Sequence, residues 1–176
     1  MFFTSMKFAV MIVKNVNNRW DNTMKSESIS DYKQTINKIV ELKTLSEVVF
    51  RIPIKEGKWS IREIIGHLFY WDKFILEKHL PHMNDGARLI AFPDLDTYNQ
   101  EAIQYISRFK NTAALIDEFK RTRQTLLKEI EKKDKTIQFT VDADIGIYTI
   151  ERYMDIFADH DQHHLNQINE LVKQWI

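Results

Sequence analysis

Two histidines four residues apart, His160 and His164, fall in the apolar seam of what reads as the last helix. Stepping by three or four from Tyr153 gives Tyr153, Phe157, His160, His164, Ile168, Leu171 and Trp175. Positions four apart on a helix differ by about 40° and lie one turn apart, so both rings can point at one spot. Helical His-x-x-x-His metal sites use this arrangement. The protease version also needs Glu directly after the first His. Asp161 stands there, so a protease is not expected. His163 lies about 100° round the helix from His164 and belongs to a flank. A catalytic zinc-type site takes three protein ligands and keeps one position open. His67 is the best third ligand, on the apolar stripe Ile64, His67, Trp71 and Phe74 of an earlier helix. Gly66 precedes it. A glycine inside a helix costs about 1 kcal/mol relative to alanine, so it argues for close approach of another helix or of a ligand. His79 and His82 fall at a helix end and in a loop, where surface or capping roles are expected.

Plainer readings compete with each of these. A lone histidine on an apolar face is more often a hydrogen-bonded core residue than a ligand. Trp59, Tyr70, Trp71, Tyr153 and Phe157 are expected to pack the core rather than cage a substrate, and Lys128–Lys135 reads as a solvated helix end. The 176 residues contain no cysteine, which excludes disulfides, thiolate-ligated zinc, iron–sulfur clusters and a cysteine nucleophile. A transition-metal site here is therefore built from imidazole, completed by carboxylate or water. Lys plus Arg equals Asp plus Glu at 25 each, so no long-range field favours general nucleic-acid binding.

The elements that must position the histidines read as helices. Four Gly and three Pro, with 44% hydrophobic and 28% charged residues, leave few breakers. The length suits one domain. A first helix is expected from about Ser30 to Phe50, its stripe including Ile36, Ile39, Val40, Val48 and Val49, and it breaks at Pro53 and Gly57. Ser60-Ile-Arg-Glu63 fits a capping box and opens a second helix from Ile61 to about His79. A long connection follows from Leu80 to about Asp96. Thr97-Tyr-Asn-Gln100 resembles another capping box, and helical pattern covers Tyr98–Phe109 and Thr112–Lys133. Ile137, Phe139 and Val141 alternate, so Thr136–Tyr148 reads as a short hairpin or an irregular crossover. The last helix begins near Thr149. The sum is an all-α protein: a four-helix bundle with long crossover connections. Residues 1–23 read as an N-terminal extension outside a single 24–176 domain. No segment has the ~20 apolar residues of a membrane span, so a cytoplasmic protein is expected.

Gly57-Lys-Trp-Ser-Ile-Arg-Glu-Ile-Ile-Gly-His67-Leu, paired with His160-Asp-Gln-His-His164-Leu-Asn-Gln-Ile, resembles the DinB/YfiT-like superfamily from about Ser30 to Ile176. Tyr98-Asn99 and Arg121–Arg123 also sit where that family has similar residues. The resemblance implies a four-helix bundle, commonly dimeric, in which three His bind one divalent metal. Those map onto His67, His160 and His164. The metal expected is zinc or nickel first, iron or manganese next. The implied activity is that of a metal-dependent enzyme acting on a small molecule. It would activate water, as a hydrolase, or a low-molecular-weight thiol such as bacillithiol, as an S-transferase. A non-catalytic, stress-associated metal-binding protein is the alternative. Asp72, Asp155, Asp159 and Asp161 are the carboxylates near the ligands in sequence, and Asn99 and Gln167 are candidates for contacts to substrate or metal-bound water. No general base stands out, and the catalytic residues are left unassigned.

Overall fold

The computed structural model describes residues 27–173; the expected extension over residues 1–23 and Trp175 lie outside them. Six α-helices are described. We label them α1 (Glu27–Glu41), α2 (Glu47–Phe50), α3 (Ile61–Phe74), α4 (Leu95–Ile106), α5 (Thr112–Glu131) and α6 (Ile150–Val172). The long helices α1, α3, α5 and α6 form a four-helix bundle: α1 packs on α6 and α5, and α3 packs on α5. The shorter α4 lies against α3.

Local chemistry sets the boundaries. Ser60 Oγ accepts from the Glu63 N–H (3.3 Å) and Glu63 Oε2 accepts from the Ser60 N–H (2.7 Å), the reciprocal cap expected at the start of α3. The α-helix ends at Phe74 and the chain widens into a π turn, Ile75–His79. The first helix stops earlier than its apolar pattern suggests. A 3₁₀ turn, Leu42–Thr44, breaks it, and Ser46 caps the one-turn α2 by accepting from Val49 N–H. Val48 is 73% exposed and is not in the core. The cap of helix α4 lies three residues before the expected one: Asp94 rather than Thr97 fills it, with Asp94 Oδ1 accepting from Thr97 N–H at 3.0 Å. Between α4 and α5 the chain breaks, and Asn111 caps α5 through its Oδ1 on Ala114 N–H (2.9 Å). Arg62 closes the same corner, donating to the Ile106 and Phe109 carbonyls at 2.9 and 3.0 Å.

Both crossovers meet in a small sheet. Strands β1 (Arg88–Leu89), β2 (Phe139–Val141) and β3 (Ile147–Tyr148) lie in that order. β1 is parallel to β2, pairing Leu89 with Val141. β2 and β3 form the antiparallel hairpin, pairing Phe139 with Tyr148. Gly86, at φ +70°, turns the chain into β1.

The apolar core is in two parts. One gathers Tyr32, Trp71, Phe74, Phe139, Tyr153 and Phe157. The other gathers Ile39, Ile64, Leu68, Phe119, Leu165 and Ile168. Polar groups lie where the two meet along each helix. Arg123 of α5 is fully buried there. It donates to Asp72 of α3 (2.6 Å), to Asp161 of α6 (2.5 Å) and to the Tyr32 carbonyl of α1 (3.1 Å), and its guanidinium lies 3.5 Å from the Tyr32 ring centroid. The Tyr32 hydroxyl donates to Asp72. Burial opposes Arg123's charge, but the carboxylates of Asp161 and Asp72 outweigh it and hold the guanidinium firmly protonated. One cation does not offset burial for two carboxylates, and Asp72 is pushed up to about 6.

Replacing Arg123 with Met leaves two buried carboxylates without their cation. Urea unfolding at pH 7.5 is expected to show a loss of about 3–5 kcal/mol. Asp72→Asn leaves Arg123 paired one-to-one with Asp161 and is expected to cost clearly less. Equal losses would contradict the assignment of Arg123 as the hub.

Candidate metal centre

α3 and α6 bring His67, His160 and His164 together. All three are buried, with exposures of 4%, 4% and 7%. His67 Nε2 lies 2.8 Å from His160 Nε2, and His164 Nε2 lies 3.0 Å from that same atom. Ligand atoms of the three rings all fall within 4.8 Å of one another. No fourth His, Asp or Glu joins this group among the described residues.

The rings are uncharged at neutral pH. Burial pushes His67 and His160 well below the ordinary histidine range, and the neighbouring imidazoles push the same way. Burial lowers His164 to about 4, against a Gln167 hydrogen bond that favours the charged ring. A neutral imidazole offers at each nitrogen either one N–H or one lone pair. His160 Nε2 faces two other Nε2 atoms, and a single N–H or lone pair serves one such contact well and the other poorly. A cation accepting all three lone pairs relieves that conflict. Donor atoms 2.8 and 3.0 Å apart also suit one ion with bonds of about 2.0–2.1 Å to nitrogen. The residues therefore fit a divalent metal.

Amides lie beyond the rings. His164 Nδ1 and Gln167 Oε1 are 2.9 Å apart, one helical turn along α6. His67 Nδ1 is buried with no hydrogen-bond partner, and so is Asn99 Oδ1 on α4. The carboxylates considered from sequence are elsewhere: Asp72 and Asp161 bind Arg123, and Asp155 and Asp159 are exposed. Trp59, half-buried, covers the cluster, its ring centroid 4.8 Å from His67 and 6.2 Å from His164, stacked on the latter at 27°. Trp71, Tyr153 and Phe157 pack the core as expected, whereas Tyr70 is only half-buried. Gly66 meets a helix: a Cβ there would lie 2.6 Å from Ile106 Cγ2 and 2.8 Å from its Cδ1. His163 is exposed on the flank as expected, and His82 is exposed as expected but ends a 3₁₀ turn, Leu80–His82, rather than lying in an irregular loop.

His79 is different. It is not a surface or capping residue but fully buried. Its Nε2 donates to the Ile90 carbonyl (2.9 Å), which leaves Nδ1 to accept from the Tyr153 hydroxyl (2.6 Å). It thereby pins the crossover after α3 to α6. Arg123 was legible only through the family resemblance, although a signal existed: it falls at helical spacing between Phe119 and Leu126 on the core stripe of α5.

A buried three-imidazole cluster held by two helices of a four-helix bundle defines a class of candidate metalloproteins. The profile of the DinB superfamily matches residues 18–168, and the chain belongs to that superfamily. A Bacillus pumilus (strain SAFR-032) protein named "Putative metal-dependent hydrolase" is 22% identical over 185 residues, covering 98% of this chain and 99% of that one. Among solved structures, YfiT from Bacillus subtilis superposes with a TM-score of 0.64 at 14% identity, covering 90% of this chain and 91% of YfiT. It is described as "a probable metal-dependent hydrolase with an unusual four-helix bundle topology". The colibactin self-resistance protein ClbS, solved with double-stranded DNA, gives the same TM-score at 17% identity, covering 85% of this chain and 95% of ClbS. These likenesses establish the bundle fold.

Two outcomes test the packing around the cluster. Gly66→Ala forces a methyl into Ile106 and is expected to cost about 1–3 kcal/mol in urea unfolding. For His79 the sign follows from burial, which lowers its pKa to about 4 against an ordinary 6.5. The unfolded chain takes up this proton below pH 6.5 and the native state does not, so its contribution to stability is lost as pH falls from 6.5 towards 4. In metal-free protein, His79→Gln is expected to be less stable at pH 7.5 and to lose less on going to pH 5.

Proposed function

We propose that His67, His160 and His164 bind one divalent transition metal, zinc or nickel by the nature of the donors, and that the protein is a metal-dependent hydrolase of a small molecule. One observation carries this reading: three buried, neutral imidazoles converge through Nε2 with no fourth protein ligand among the described residues. A site with three protein ligands has room for water and substrate, whereas a structural site closes with a fourth. Held by His67, His160 and His164, such an ion would supply Lewis acidity, lowering the pKa of water towards about 7 and polarising a substrate oxygen.

The chain's own residues do the rest. Burial keeps the rings unprotonated, so their lone pairs are available at neutral pH. Gln167 fixes the orientation of His164. Trp59 walls one side of the cluster and shields it from bulk water. The even balance of 25 basic and 25 acidic residues supports a small substrate over a polyanion such as the DNA bound by ClbS. The names of the B. pumilus protein and of YfiT support the hydrolytic reading.

The test is elemental analysis of protein purified without an affinity tag, followed by a panel of esters and amides. About one equivalent of metal per chain is expected, absent in His67→Ala and His164→Ala. Hydrolysis should be lost on chelation and restored by the metal. Metal at 100 times its Kd should stabilise the fold by about 2.7 kcal/mol. Failure to bind any divalent metal would remove the site. Metal binding with turnover only when bacillithiol or a similar thiol is added would move the activity to S-transfer, and silence in both panels would favour a non-catalytic metal-binding protein.

A further inference from the structure

We propose that Asn99 is a positioning residue for His67: its Oδ1 accepts the Nδ1 proton that His67 carries once Nε2 binds a metal. This rests on the metal reading of the three-histidine site and adds the group that holds one of its ligands.

The argument begins with the tautomer. Nε2 is the atom of His67 that faces the other two rings. When it gives its lone pair to an ion, the ring's proton must sit on Nδ1. That N–H is buried, and a buried donor without an acceptor is destabilising. Ligating histidines therefore place an acceptor behind the ring, which fixes both tautomer and orientation. His67 Nδ1 is sealed from solvent and has no partner, and Asn99 Oδ1 is a sealed acceptor with no partner. Each atom is what the other lacks.

Backbone placement makes the pairing possible. Asn99, Ala102 and Ile106 share one face of α4, and Ile106 is the residue that occupies the space over Gly66. Gly66 is the neighbour of His67, and its missing Cβ lets α4 sit close enough for Asn99, two turns before Ile106, to approach His67 from behind. His164 has the same arrangement already formed: the Gln167 amide oxygen lies 2.9 Å from its Nδ1. The two acceptors are both uncharged, so neither adds negative charge behind its ligand.

The experiment measures zinc affinity by chelator competition for the full chain and for Asn99→Ala and Asn99→Asp, with thermal unfolding of each metal-free protein. Nitrogen-15 NMR of the zinc-loaded wild type reads the tautomer of His67. Asn99→Ala is expected to bind zinc 10–100-fold more weakly. Asn99→Asp, which keeps an acceptor oxygen, should restore affinity to wild type or better. The NMR should place the proton of His67 on Nδ1. Wild-type affinity in Asn99→Ala would overturn the proposal, as would equal weakening in both variants or a His67 ring metallated through Nδ1. Because the NMR is done on the wild type, it decides even if a variant folds poorly. Wild-type protein that binds no zinc or other divalent metal would overturn the metal reading itself, and this proposal with it.

Discussion

The bundle is organised round one buried cation. Arg123 reaches from α5 to carboxylates on α3 and α6 and to a backbone carbonyl on α1, so it touches all four long helices at one level. Taking such charges out of water costs several kcal/mol per ion, and the attraction repays this only with good geometry and further hydrogen bonds. The Tyr32 hydroxyl and ring help to meet that condition. An arrangement so expensive to misalign fixes the helices against sliding. A shift of one turn, about 5.4 Å, would separate every pair. Asp161 adjoins His160 and Asp72 follows His67 by five residues, so the same constraint brings the three imidazoles to a common height.

This division of labour explains the electrostatics of the site. The carboxylates that sequence alone offers to the imidazoles are engaged by Arg123 or face solvent. The Gln167 amide stands behind His164 instead. Three neutral imidazoles would leave a dication held there nearly uncompensated, which would favour a negatively charged further partner.

Much of this was legible where one residue pattern has one physical solution. The Ser60–Glu63 box marks the start of α3 because that pairing satisfies free N–H groups only at a helix N-terminus. The i, i+4 histidines in an apolar seam could face only inwards, and Gly66 signalled a close contact that proved to be Ile106. Patterns shared by two structures were not resolved. Apolar spacing over 42–50 continues through the 3₁₀ turn because periodicity does not see a change of hydrogen-bonding register. Asp94 and Thr97 are both good caps, and only the path of the preceding chain selects between them. The burial of His79 depends on Ile90 and Tyr153, which no local pattern connects to it. The pairing of β1 with β2 joins residues some fifty positions apart and is equally non-local.

That pairing ties the two long connections of the bundle to each other. Thr140 N–H reaches the Ala87 carbonyl and Asp142 N–H the Leu89 carbonyl, each at 2.9 Å, while His79 and Tyr153 anchor the same region to α6. The strands are only two or three residues long, and neither crossover could hold such a strand alone. They therefore form one cooperative unit. Amide protons of 87–90 and 139–148 should exchange together, and an insertion into one crossover would be felt in the register of the other.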